Sequence, residues 1–382
     1  MRHNIYILPM AMVCTGLSSC FKEEPLNAEC DILKAWIHAE NPEMLFNNLS
    51  DTLVSVQSDQ TDIVFSMQAG ADISALAPLF QLTDGATISP ENGSAHDFSN
   101  GPVVYTVTSE DKKWNRVYRV SVSALLQIGK ELHFDFENSS LTDKKYYSWY
   151  ENWLTSDGTS SEAHIWSTGN PGFGISNGSA KADEYPTVPD NNSFEGKGVK
   201  LVTRRTSKLA DMVKKPIAAG NLFIGRFDAQ NALQDAMKAT KFGLPFGFDS
   251  KPIKFTGYYK YAAGTSYTDK NMNVLDMVDK GTVYAVLYDN HDSEGHPVVL
   301  HGDNVQTSNQ IVALAQLPDV STTTEWSGFS VDFVYRQNID KAKLKTGGYN
   351  LAVVCSSSTN GAFFMGAVGS TLWIDKLTVV CE

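Results

Sequence analysis

The chain has 382 residues, of which 42% are hydrophobic, 11% aromatic and 19% charged, and 43 acidic against 31 basic side chains give a net charge of −12. This length allows two or three domains with ample apolar cores, and the composition excludes a disordered chain. The acidic balance excludes a nucleic-acid partner, which needs clustered Lys and Arg, and suits neutral or cationic partners.

The chain opens with Arg2 as a positive n-region, then an apolar run, Ile5 to Val13, too short to span a bilayer. Leu17-Ser18-Ser19-Cys20 resembles a lipobox, in which small residues admit a peptidase and the thiol accepts diacylglycerol. Residues 1–19 are therefore expected to be a lipoprotein signal peptide, 20–29 a tether, and Cys20 the lipidation site. The alternatives are an ordinary signal peptide or a buried first helix. Acyl chains anchor by burying CH₂ groups, so a membrane partner needs no transmembrane helix. Phe21-Lys22-Glu23-Glu24 resembles the surface-export signal of lipoproteins in glycan-foraging bacteria, and reads equally as a solvated tether. An outer-membrane lipoprotein facing the cell surface or the periplasm is the expectation.

Residues 30–126 form the first predicted domain. Short β-rich runs, Leu53-Val54-Ser55-Val56, Ile63 to Met67, Val103 to Val107 and Val117 to Val122, alternate with turn residues such as Thr83-Asp84-Gly85 and Ser89-Pro90-Glu91-Asn92-Gly93. The last two runs read as a hairpin. The pattern resembles the immunoglobulin-like domains placed before carbohydrate-active modules in bacteria, and a spacer is the plain reading.

Residues 127–382 carry strand-like runs at Leu132 to Phe136, Val199 to Thr203, Leu222 to Phe227, Lys254 to Tyr261, Thr282 to Tyr288, Gly328 to Tyr335, Leu351 to Cys355 and Leu372 to Val380. Long loops separate them. The fold class expected is all-β: an immunoglobulin-like sandwich followed by a larger jelly-roll sandwich. One helix is predicted over Ala229 to Lys241, from the partial spacing of Ala232, Leu233, Ala236 and Met237. Cys355 and Cys381 each end a strand-like run, so they either pair across neighbouring strands or stay as two buried thiols.

A series of segments then appears in fixed order: Ile165-Trp166-Ser167-Thr168-Gly169-Asn170-Pro171-Gly172, Tyr185-Pro186-Thr187, Gly198 to Thr203, Ala218 to Gly225, Gly243-Leu244-Pro245-Phe246 and Phe255 to Tyr261. The ordered set resembles the putative carbohydrate metabolism domain family, over about two-thirds of the chain. The resemblance implies an exported lipoprotein with an immunoglobulin-like domain, a jelly roll bearing a pocket, and a carbohydrate-linked role, with no defined reaction.

Read alone, Phe255-Thr256-Gly257-Tyr258-Tyr259-Lys260-Tyr261 is a strand with two unlike faces. Phe255, Tyr259 and Tyr261 share one with Gly257. Lys254, Thr256, Tyr258 and Lys260 share the other, too polar for an inter-sheet core. A tyrosine beside a lysine suits a sugar, since the ring stacks on C–H faces and the ammonium donates to hydroxyls; the alternative is a solvated cross-strand pair. Trp166 and Asn170, in a Gly/Pro-punctuated loop, are the candidate rim of a groove, with Trp166 either a sugar platform or a plug closing the sandwich. Asn221 either bonds a sugar hydroxyl or turns on its own backbone. The carbohydrate-binding candidates are thus Trp166, Asn170, Asn221, Tyr258 and Lys260, the ligand an oligo- or polysaccharide, and further partners those of a glycan-uptake system.

Hydrolysis of a glycoside needs two carboxyl groups at defined separation. Asp135 and Glu137 alternate with Phe134 and Phe136 on the first strand of the domain, and Asp375 lies on the last. Acids on first and last strands, here Glu137 and Asp375, also suit a structural calcium as cofactor. His291, His296 and His301 match no metal-ligand spacing. Three functions stay open at this point: non-catalytic glycan binding, a glycoside hydrolase or lyase using the same pocket, and a structural or adhesive surface lipoprotein.

Overall fold

The computed structural model describes residues 26–39, 42, 45–46, 52–58, 60–67, 71–99, 101–123, 130–154, 160–229, 232, 235–248, 250–345 and 347–382. Cys20, the apolar run before it and Lys22-Glu23-Glu24 lie outside the described residues. The protein is all-β, an immunoglobulin-like sandwich followed by a jelly-roll sandwich.

The first sandwich faces a three-stranded sheet, Leu53–Ser55, Ile32–Ile37 and Pro78–Leu82, against a four-stranded one, Asp62–Ser66, Asn115–Ser123, Val103–Thr108 and Thr87–Ser89. Val103–Thr108 and Asn115–Ser123 form the expected hairpin, with Tyr105 opposite Tyr118. Period-two alternation turns Tyr105, Val107, Tyr118 and Val120 inward, where none has appreciable exposure. Arg119 of this sandwich forms ion pairs with Asp62 and with Glu162 of the next, and His164 Nε2 lies 3.3 Å from Glu162 and 3.8 Å from Asp62.

All eight strand-like runs of the second part are strands, but one is divided. Ser327–Asp332 belongs to one sheet and Val334–Tyr335 to the other, and the chain crosses between them at buried Phe333. Among the described residues the first sheet runs Thr187–Asp190, Gly198–Val202, Thr371–Cys381, Pro252–Ala262, Ser327–Asp332, with Glu131–Phe134 beside the last half of Thr371–Cys381. The second runs Trp166–Ser167, Asn221–Phe227, Tyr349–Ser356, Thr282–Asp289, Ile311–Gln316, Val334–Tyr335. Between them lies one core, filled by Val199, Leu201, Phe255, Leu372 and Ile374 from one side and Leu222, Val283, Leu287, Leu351 and Val353 from the other. Each such side chain stabilises the fold by roughly 1.5–3 kcal/mol.

The two sheets differ in their outer faces. Strands Thr282–Asp289 and Tyr349–Ser356 carry the continuous apolar runs Val283 to Tyr288 and Leu351 to Cys355, and a further apolar layer of Phe223, Phe242, Tyr284, Val286, Tyr288, Leu300 and Val354 covers the back of their sheet. The other sheet alternates buried and accessible residues and leaves one face open.

Two expectations are corrected. The predicted helix over Ala229–Lys241 is, among the described residues, one turn at Ala236–Ala239, after which Thr240–Phe242 joins the strand Asn221–Phe227. Asp235 caps that turn, its Oδ1 accepting from Met237 and Lys238 N–H, and strand pairing then outweighs a partial helical pattern. The Cys355–Cys381 disulfide does not form. Both thiols point into the inter-sheet core, but from strands of opposite sheets, and both are free.

Candidate functional site

The open face is built by alternation. On Pro252–Ala262, Phe255 and Tyr261 are fully buried and Gly257 lies between them, while Lys254, Thr256, Tyr258 and Lys260 stay half-buried. Gly257 leaves space for a neighbour: a Cβ there would meet Leu377 at 2.4 Å. On Thr371–Cys381, buried Leu372 and Ile374 place Trp373 outward; on Gly198–Val202, buried Val199 and Leu201 do the same for Lys200.

Strand register turns these local choices into a site. Lys200 pairs with Trp373, and Trp373 with Lys260, in one row across three strands. The Lys200 and Lys260 ammoniums lie 5.7 and 5.8 Å from the Trp373 ring centroid, within cation–π range. In the next row Tyr258 lies between Asp375 and Gly328. A Cβ on Gly328 would come within 3.3 Å of the Tyr258 ring, so this glycine gives the ring room. Phe194, from the loop after Asp190, stacks on Tyr258 with centroids 3.6 Å apart and planes 12° from parallel. Trp326 meets Phe194 edge-on at 6.2 Å. The result is an accessible aromatic strip, Trp326, Phe194 and Tyr258, one row from an indole flanked by two ammoniums.

The acids near this face have structural partners. Opposite Thr256 and Tyr258 the last strand carries an extra residue, and Lys376 there has φ +48°. Asp375 accepts from Glu195 N–H at 2.9 Å and from Lys376 N–H at 2.8 Å. Burial pushes its carboxyl up, a rise that these donors only partly offset. Glu137 accepts from Lys197 N–H at 3.1 Å, and Gly196 has φ +67°, with any Cβ landing 2.3 Å from Glu137. The loop that presents Phe194 is therefore tied down at Glu195 and Lys197. The Lys376 ammonium lies 3.4, 3.6 and 3.8 Å from Glu137, Asp135 and Glu195. Glu137 and Asp375, the calcium candidates, thus meet N–H donors and an ammonium, and no cluster of three or more metal-ligating side chains occurs among the described residues.

Three candidates lie elsewhere. Trp166 is a plug. It is 6% exposed, packs on Phe134 and Phe136, and donates through Nε1–H to Glu151 at 2.8 Å. Burial raises the Glu151 carboxyl to about 8. Asn170 is fully buried, its amide bonded both ways to the Thr187 backbone at 2.8 and 3.0 Å. Asn221 accepts from Gly169 N–H at 2.7 Å, which fixes the Trp166 loop rather than a ligand. Of the five candidates, Tyr258 and Lys260 share the open face; Trp166, Asn170 and Asn221 cluster where that loop closes the sandwich. His291, His296 and His301 bond Asn290, Asp292 and the Thr240 carbonyl separately.

Lys200, Phe194, Trp326 and Trp373 are the residues that sequence reasoning missed. Lys200 and Trp373 had a legible signal, a lysine or tryptophan flanked by inward aliphatics. So had Phe194, a lone aromatic in a polar turn. Their convergence had none, because it depends on register between distant strands.

The putative carbohydrate metabolism domain family matches residues 135–380, the greater part of the chain. The chain belongs to this family. Its first sandwich matches a second family, described as SGBP, N-terminal, over residues 45–122. Two solved structures resemble this member closely in sequence. One, described as a putative glycoside hydrolase from Bacteroides thetaiotaomicron VPI-5482, is 38% identical over 94% of this chain and 99% of its own, with a TM-score of 0.80. The other, described as a putative glycoside hydrolase from Bacteroides vulgatus ATCC 8482, is 38% identical over 65% of this chain and 98% of its own, with a TM-score of 0.57. The curated proteins contain no match. Family membership makes the role carbohydrate-related, and the open face lies inside the segment that defines the family.

Proposed function

We propose that this chain is a cell-envelope lipoprotein, held by lipid on Cys20, that binds glycan through the open face of its jelly roll in carbohydrate uptake or metabolism. The observation that carries the reading is the Phe194–Tyr258 stack beside Trp373, on a sheet face otherwise polar. Aromatic planes pack against the C–H faces of pyranose rings, and Lys200 and Lys260 supply donors to oxygens at the ring edges. The first sandwich serves as the spacer and the tether as the leash. Proteins of a glycan-uptake system are its proposed partners.

The descriptions of the two solved relatives favour a second reading, hydrolysis of a glycoside. Asp135, Glu137 and Asp375 are engaged by Lys376 and backbone donors, which supports binding over hydrolysis. A glycan array probed with the chain and with Tyr258→Ala and Trp373→Ala tests the first reading: loss of signal in both variants is expected, and binding untouched by either removes the face. Release of reducing ends from any bound glycan would favour the second. Labelling of cells with an alkynyl fatty acid, expected to mark the wild type and not Cys20→Ala, tests the anchor.

A further inference from the structure

We infer that the glycan is anionic, carrying a carboxylate or sulfate read by Lys200 and Lys260; this rests on the open face being the glycan site. Elsewhere in the second sandwich Lys238, Lys254, Lys280, Lys343 and Lys376 each form an ion pair with a carboxylate. Among the described residues Lys200 and Lys260 form no ion pair, although they stand on the central strands of the sheet. Each instead lies against Trp373, from opposite neighbouring strands. The indole attracts both ammoniums without neutralising either, so the positive charge is held in place and kept for a ligand. An aromatic strip alone would serve a neutral sugar. Two uncompensated ammoniums around one ring, on a chain of net charge −12, add a requirement for negative charge that the overall composition opposes. A carboxylate or sulfate seated there accepts charge-assisted hydrogen bonds while its sugar ring lies on the aromatics.

The test uses the full chain and two matched pairs of probes: polygalacturonate with its methyl ester, and dextran sulfate with dextran. The pairs distinguish carboxylate from sulfate. Binding is measured by affinity electrophoresis and calorimetry at two salt concentrations. The expected result is about tenfold or greater preference for the charged member of at least one pair, weakening with salt. The double variant Lys200→Gln, Lys260→Gln should erase the preference, and Lys200→Arg, Lys260→Arg should keep it; melting curves confirm that both fold. Equal binding of charged and neutral members overturns the inference, and so does a preference that survives the glutamines. Duplex DNA competing as well as the acidic glycan also overturns it, since charge alone would then explain binding. If a neutral glycan binds and Tyr258→Ala abolishes this, the inference falls while the glycan-binding face stands. Glycan binding indifferent to Tyr258→Ala and Trp373→Ala removes the face itself.

Discussion

The ring of Phe194 lies flat on the ring of Tyr258, 3.6 Å away, although the two residues reach the same place from a turn and from a strand. An aromatic on an exposed turn gains little by itself. Here Asp375 holds the neighbouring Glu195 N–H, and Glu137 the Lys197 N–H, so the turn is pinned to the sheet. Phe194 is nevertheless 42% exposed, a hydrophobic surface kept ordered and in contact with solvent.

Asp375 is accordingly a positioning residue. Asp375→Asn turns an amide N–H₂ toward donors that need an acceptor. The expected outcome is glycan affinity reduced about tenfold, with every aromatic of the strip still present. Affinity unchanged in Asp375→Asn, with Phe194→Ala strongly impaired, would show that the turn needs no such tie.

Glu151 makes stability depend on pH. Its carboxyl titrates at about 8 in the folded chain against an ordinary value of 4.5, because burial disfavours the anion. Between those values the folded state holds a proton that the unfolded state has lost. Stability therefore falls as pH rises from about 4.5 to about 8 and levels off above. Glu151→Gln keeps an acceptor for Trp166 Nε1–H and cannot ionise. Its melting temperature relative to wild type should rise by at least about 3 °C more at pH 8 than at pH 5. A pH-independent difference would refute the assignment.

Lys376 occupies the position between acids where calcium was one expectation. Its ammonium, 3.4 Å from Glu137, already sets one positive charge among these carboxylates. Treatment with a calcium chelator should leave the melting curve unchanged. Lys376→Gln should lower stability by about 1 kcal/mol, a modest cost because Glu137 and Asp135 are well exposed. A melting curve that drops on chelation and recovers with calcium would reverse this account.

Cys355 and Cys381 should be inert in the folded protein. Burial pushes the Cys355 thiol far up and that of Cys381 to about 12, so neither forms thiolate at neutral pH. A thiol reagent should label them only after denaturation, and a reductant should not move the melting temperature. Mass spectrometry showing a linked Cys355–Cys381 peptide would contradict the free thiols.

Much of this fold is local and so was readable in the residues. Alternation in Phe255 to Tyr261 separates a core face from an open face, and the same period two places Trp373 and Lys200 outward. The continuous apolar runs around Val286 and Val353 foretell strands covered on both sides. Period is a property of neighbouring residues, and each choice is enforced by the apolar surface that a one-residue slip would expose. Long-range register is not. It brought Glu195 to Asp375, 180 positions away in the chain. It set Lys200 and Lys260 on either side of Trp373, and it put Cys355 and Cys381 on opposite sheets. It also drew Trp166 inward, where Phe134, Phe136 and Glu151 satisfy both its ring and its N–H. A tryptophan in a Gly/Pro loop has the same sequence signature whether it plugs a sandwich or lines a groove. Only the partners that packing supplies decide between the two.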